Sequence, residues 1–163
     1  MATSTLVQYL PAGEGGDTSN RSQTETFIAA ETLAVGDWVA FDYAATAIGD
    51  ITRNVFKADG NSSPVRTPFG VVIGSADRDA SGSPVFTAGS RIIVCISGVA
   101  LATCSDNAGA GNAIGTLLQI TNTAGVADVA SAASAQPVCG ILAQTIAAAA
   151  GTVLRRVVVI KQF

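Results

Sequence analysis

Three cysteines, Cys95, Cys104 and Cys139, and a scatter of aspartates are the side chains of this 163-residue chain that could serve as nucleophiles, acids or metal ligands. Histidine is absent. Without it there is no base to take a proton from a serine or cysteine in a Ser-His-Asp or Cys-His arrangement, and no His-based zinc or iron site. The cysteines are widely separated, form no CxxC, and cannot close a disulfide framework among three. Cys95 and Cys139 lie in apolar, strand-like contexts, where a free cysteine acts as a small buried hydrophobe. Folding in a reducing cytoplasm fits this pattern, and one disulfide with a spare thiol is compatible with it. Asp37, Asp42, Asp50, Asp59, Asp77, Asp79, Asp106 and Asp128 fall mostly at turn signals, where aspartate bonds its own backbone. Arg78 between Asp77 and Asp79 argues against a calcium loop. Gly109-Ala110-Gly111-Asn112-Ala113-Ile114-Gly115 is one residue too long for GxGxxG, has no following lysine and leads into a β-like segment, so it reads as a turn. The expectation is a protein that is not an enzyme and uses no metal or cofactor.

The elements around these residues read as short strands. Gly36-Asp37 is a turn running into Trp38-Val39-Ala40-Phe41-Asp42-Tyr43, rich in aromatic and β-branched residues. Further β-like segments are Asn54–Lys57, Phe69–Gly74, a long Arg91–Cys104 with a bend expected at Ser97-Gly98, Thr116–Thr121, Gly140–Ile146 and Thr152–Phe163. Ala127–Ala135 is Ala/Ser-rich and reads as a short helix or a loop. No segment sustains an amphipathic helical repeat. Pro68-Phe69-Gly70-Val71-Val72-Ile73-Gly74 is echoed by Pro137-Val138-Cys139-Gly140-Ile141-Leu142-Ala143, with Cys139 as an added residue. The lead-in Gly36-Asp37-Trp38-Val39 is matched with Gly111-Asn112-Ala113-Ile114. The prediction is an all-β chain: a small β-barrel or sandwich built from two weakly repeated β-units, over about 27–100 and 101–163. An extended N-terminal arm covers residues 1–26, because its Gly/Ser/Thr/Asn/Asp density offers little to bury. Leu6, Val7, Tyr9 and Leu10 give that arm an apolar cluster with which to dock on a neighbouring subunit.

Composition narrows the partners. Charged residues are 13% of the chain, against roughly 25% in an average soluble domain, and net charge is −3. Sparse charge leaves long uncharged surface, which on a protein in water marks contact with a partner. The basic face needed to displace counterions from phosphate is missing, so direct nucleic-acid binding is not expected. The opening residues have neither the basic nor the apolar run of a secretory leader. Val138–Ala150 is too short, and too interrupted by Gly140, Gln144 and Thr145, to span a bilayer, so no membrane role is expected.

Leu33-Ala34-Val35-Gly36-Asp37-Trp38-Val39-Ala40, Phe69-Gly70-Val71-Val72-Ile73-Gly74 and Arg91-Ile92-Ile93-Val94-Cys95-Ile96-Ser97-Gly98-Val99-Ala100 together resemble the head-decoration, or capsid cement, proteins of tailed bacteriophages. The resemblance covers residues 27 to 100 and continues more loosely beyond. It implies a structural virion protein made in the host cytoplasm and placed on the capsid exterior. As a homotrimer it would bridge neighbouring major capsid protein subunits. Leu6, Val7, Tyr9, Leu10, Trp38 and Tyr43 are the candidate interface residues. The alternatives are a tail, fibre or baseplate component, or a small carbohydrate-binding β-domain with Trp38 and Tyr43 as its surface.

Overall fold

The computed structural model describes residues 22–41, 53–61, 66–130 and 136–161. Nine strands and no helix form among them: β1 (Gln23–Ala29), β2 (Trp38–Phe41), β3 (Asn54–Lys57), β4 (Gly70–Ser75), β5 (Arg91–Cys104), β6 (Leu117–Ile120), β7 (Ala127–Val129), β8 (Val138–Leu142) and β9 (Val153–Val159). The all-β reading holds. β1, β3, β2, β4 and the first half of β5 close a five-stranded barrel, because β1 pairs with both β3 and β5. The second half of β5 pairs with β7 and β9, and β6 and β8 complete a second five-strand ring. Closure removes the unpaired edges that a short open sheet would present.

The two rings repeat each other pair by pair. In the first, Trp38 faces Val71 and Val71 faces Cys95; in the second, Leu117 faces Ile141 and Ile141 faces Val158. Each ring has one parallel pairing, at Ala29 with Val55 and at Cys104 with Ala127. The lead-ins match through hydrogen bonds: Gly36 N donates to Val72 O and Gly115 N to Leu142 O, both at 2.8 Å. The counterpart of Gly36-Asp37-Trp38 is therefore Gly115-Thr116-Leu117, four residues beyond the match expected at Gly111. Gly111 instead donates to Asp106 O within the loop after β5. The boundaries shift likewise. β1 begins at Gln23, inside the expected arm, because Thr24 to Ile28 have β5 partners that hold them. The junction of the units is within β5, where Ser97 pairs with β1 and Gly98 with β9. Gly98 has φ +104°, a backbone that side-chain-bearing residues rarely adopt, so glycine permits the strand to change partners there. Ala127–Val129, read as helix or loop, is strand β7.

Core side chains divide into two groups. Phe27, Val39, Val55, Phe69, Val72, Ile92, Val94 and Ile96 fill the first barrel. Phe27, Phe41 and Phe69 form an aromatic cluster there, with Phe41 stacked on Phe69 at 4.0 Å. The second group joins Ala100, Ala102, Cys104, Leu118, Ile120, Leu142, Val157 and Val159 of the second barrel with Trp38, Ala40, Val71 and Cys95 of the first. Val39 points into its own barrel, so the neighbouring Trp38 points out of it. That outward face packs against the second barrel.

Candidate interaction surface

The cysteines and Asp37, Asp77, Asp79 and Asp106 are tied into the frame. All three cysteines are free and buried. Each thiol donates to a carbonyl: Cys95 to Ser97, Cys104 to Ala102 and Cys139 to Leu118. Burial pushes the Cys104 thiol up to about 12, aided by the nearby Asp128 carboxylate. Burial also raises Cys139 and Cys95. These thiols stay protonated at neutral pH and are not nucleophiles.

Four of the described aspartates serve turns and loop junctions; Asp42 and Asp50 lie outside the described residues. Asp37 Oδ2 accepts from Ala34 N at 2.8 Å and lies 3.3 Å from Lys57 Nζ, bracing the turn into β2. Asp77 accepts from the backbone N and the guanidinium of Arg91, which hold its carboxyl below the usual range. Asp79 accepts from Ser81 and Ser83 within its own loop and is lowered by those bonds. Asp106, buried, accepts from Gly151 N at 2.8 Å and Gly109 N at 3.0 Å, so it is lowered too, and it fastens the loop after β5 to the loop before β9. Among the described residues no group of three or more His, Cys, Asp or Glu side chains could hold a metal ion, and no helix is long and apolar enough to cross a membrane.

Of the candidate interface residues, Leu6, Val7, Tyr9, Leu10 and Tyr43 lie outside the described residues. Trp38 is inside them and has no exposed surface. It belongs to the packing between the two barrels, so it offers no face to a partner or to a sugar ring. Gly140 makes room for it: a Cβ there would stand 2.9 Å from Trp38 Cη2. The indole Nε1 has no hydrogen-bond partner among the described residues.

Among the described residues, bulky apolar side chains gather on the outer surface of each barrel. On the first barrel, a groove of about 580 Å³ is lined by Val35, Ile73, Phe86 and Ile93, with Glu25 and Arg78 as its charged members. Ile73, next after the inward Val72, faces it at a bulge where the β4–β5 register slips by one residue between Val72 and Gly74. On the second barrel, Leu117, Ile141, Val158 and Val99 face one another in a row across β6, β8, β9 and β5. Leu117 is 48% exposed and Val158 37%. Sequence reasoning missed this row, although a signal was present. A strand with one wet face alternates apolar and polar, and Leu117-Leu118 and Val157-Val158-Val159 do not.

No protein-family model matches the chain, and no curated protein matches it.

Proposed function

We propose that the protein is a structural component of a phage virion that binds the outer surface of the capsid and bridges neighbouring major capsid subunits. One observation carries the proposal. The described cysteines are buried and Asp37, Asp77, Asp79 and Asp106 are bonded within the frame, while bulky apolar side chains stand on the outer faces of two fused barrels. Such a molecule is suited to adhesion, and the resemblance over residues 27 to 100 supplies the kind of surface it would adhere to. The groove of Val35, Ile73, Phe86 and Ile93 is the shell-facing patch in this reading, since an apolar centre with polar members at its margin is the usual composition of a protein contact. The trimeric state belongs to the same proposal.

Purified protein added to expanded shells that lack it should bind at saturable stoichiometry and raise the temperature at which they break. Ile73→Asp, at an exposed bulged position, should weaken rebinding at least tenfold without altering the fold. Absence of shell affinity in the parent protein would overturn the proposal.

A further inference from the structure

Among the described glycines, Gly74 is the one that neither backbone nor packing requires. Its φ lies outside the left-handed region in which the turn glycines stand. A Cβ on Gly70 would collide with β5 and one on Gly140 with the indole, but a Cβ on Gly74 would meet only Ile93 Cδ1, at an ordinary 4.0 Å. Glycine within a strand weakens it, and one reason to keep it is that another backbone must come close. Gly74 and Ile93 both line the groove of the first barrel, so a side chain at 74 would stand in the groove.

The same groove carries charge that the chain itself leaves unanswered. The Arg78 side chain makes no ion pair or hydrogen bond among the described residues. Its neighbours Asp77 and Asp79 are held elsewhere, by Arg91 and by Ser81 and Ser83. Glu25, the acidic member of the lining, is likewise without a side-chain partner among the described residues.

We infer that the groove takes an extended peptide segment carrying an aliphatic side chain close to a single carboxylate. Its main chain crosses Gly74, its aliphatic group lies among Val35, Ile73, Phe86 and Ile93, and its carboxylate meets Arg78. Glu25 admits a basic residue and opposes a run of acids. Addition as a further strand is not open to the segment, because β1, β4 and the first half of β5 are each paired on both sides. Recognition therefore falls to side chains, which set the sequence selected. That the partner is a protein rests on the shell-facing role proposed for this groove; the kind of segment follows from the groove's own residues.

Panning a displayed random heptapeptide library on the full protein, with Gly74→Leu as the counter-selection, tests the assignment. Leucine at 74 fills the groove without backbone strain and should not lower the unfolding temperature. Peptides kept by the parent and refused by Gly74→Leu should share an aliphatic residue beside one Asp or Glu. By fluorescence anisotropy, a synthetic copy of such a peptide should bind Gly74→Leu at least tenfold more weakly, with Gly74→Ala in between. Arg78→Glu, at an exposed position, should weaken it several-fold, and exchanging the peptide's acid for lysine should recover most of that loss. No shared pattern, equal binding by Gly74→Leu, or no recovery on the charge exchange overturns the inference. Expanded shells separate it from the proposed function. Equal shell binding by the parent and Gly74→Leu overturns the inference and leaves the shell role standing. Peptide selection without any shell binding supports the inference and overturns the shell role.

Discussion

Placing a methyl group on Gly140 tests the junction of the two barrels directly. The added Cβ would lie 2.9 Å from Trp38 Cη2 and 3.0 Å from Val158 O, both inside normal contact distance. Trp38 has no exposed surface, so the indole has little freedom to retreat. Overpacking of this kind costs about 1–3 kcal/mol, and Gly140→Ala should be destabilised by that amount. Trp38→Phe alone removes the Cη2 atom and leaves a void, but it also removes a buried N–H without a partner among the described residues, which costs about 1–3 kcal/mol in the parent. Its net loss should be smaller, about 0–2 kcal/mol. In the double variant the methyl added at position 140 occupies part of the space the indole vacated. The contact with Val158 O is present in both backgrounds and cancels. The pair should therefore be less destabilised than the sum of the singles by at least ~1 kcal/mol, a coupling expected only of residues in contact. Urea unfolding followed by far-UV circular dichroism measures it, since Trp38 is the only tryptophan and fluorescence cannot follow its replacement. Additivity within about 0.5 kcal/mol, or a neutral Gly140→Ala, would refute the placement of the indole against β8.

Acid should loosen the fold in a defined direction. Asp106, Asp77 and Asp79 all have carboxyls held below their ordinary range. Their stabilisation is present above the unfolded value near ~3.9 and is lost as pH falls through the lower folded values. The urea midpoint should drop between about pH 5 and pH 2. Asp106→Asn should lower the midpoint at pH 6 and flatten the acid limb; an unchanged limb would remove Asp106 from the account. Thiol reactivity gives an independent check. An aromatic disulfide reagent at pH 8 should modify none of Cys95, Cys104 and Cys139 in the folded protein and all three in urea. Rapid labelling of the native protein would contradict their burial.

Local patterns in the sequence carried the strands and the repeat; long-range pairing decided the rest. The phrases around Gly70 and Gly140 are visible because alternation and turn punctuation are written residue by residue. Even the added Cys139 is visible, and its structural consequence is a bulge: Leu118 faces Gly140 and Gln119 faces Val138, which leaves Cys139 unopposed. The second lead-in was not legible, because choosing Gly115 over Gly111 depends on a bond to Leu142 across the barrel. β7 was hidden for the same reason. Its Ala-Asp-Val has little strand propensity of its own and is held between β6 and β5. Trp38 was recognisable as an anchor, but the face it anchors depends on how one barrel meets the other.

That meeting also explains why the two halves differ in their interiors. Register places Ala102 and Ile120 of the second barrel where the first has Phe27 and Phe41. Cys139 stands before Gly140 as Phe69 stands before Gly70. The second barrel thus has an aliphatic and sulfur side chain at two of the positions where the first has rings, and alanine at the third. Its buried group is completed by Trp38, supplied from the outer face of the first barrel. The first barrel needs no such contribution, having its own aromatic cluster. Dependence runs one way through the side chains and both ways through β5, whose fourteen residues belong half to each ring. A cut at Gly98 would leave each ring its own half of β5 but would take from the second the indole that fills it. The repeat is therefore one in pairing only, and energetically the chain is a single unit in which the first barrel completes the core of the second.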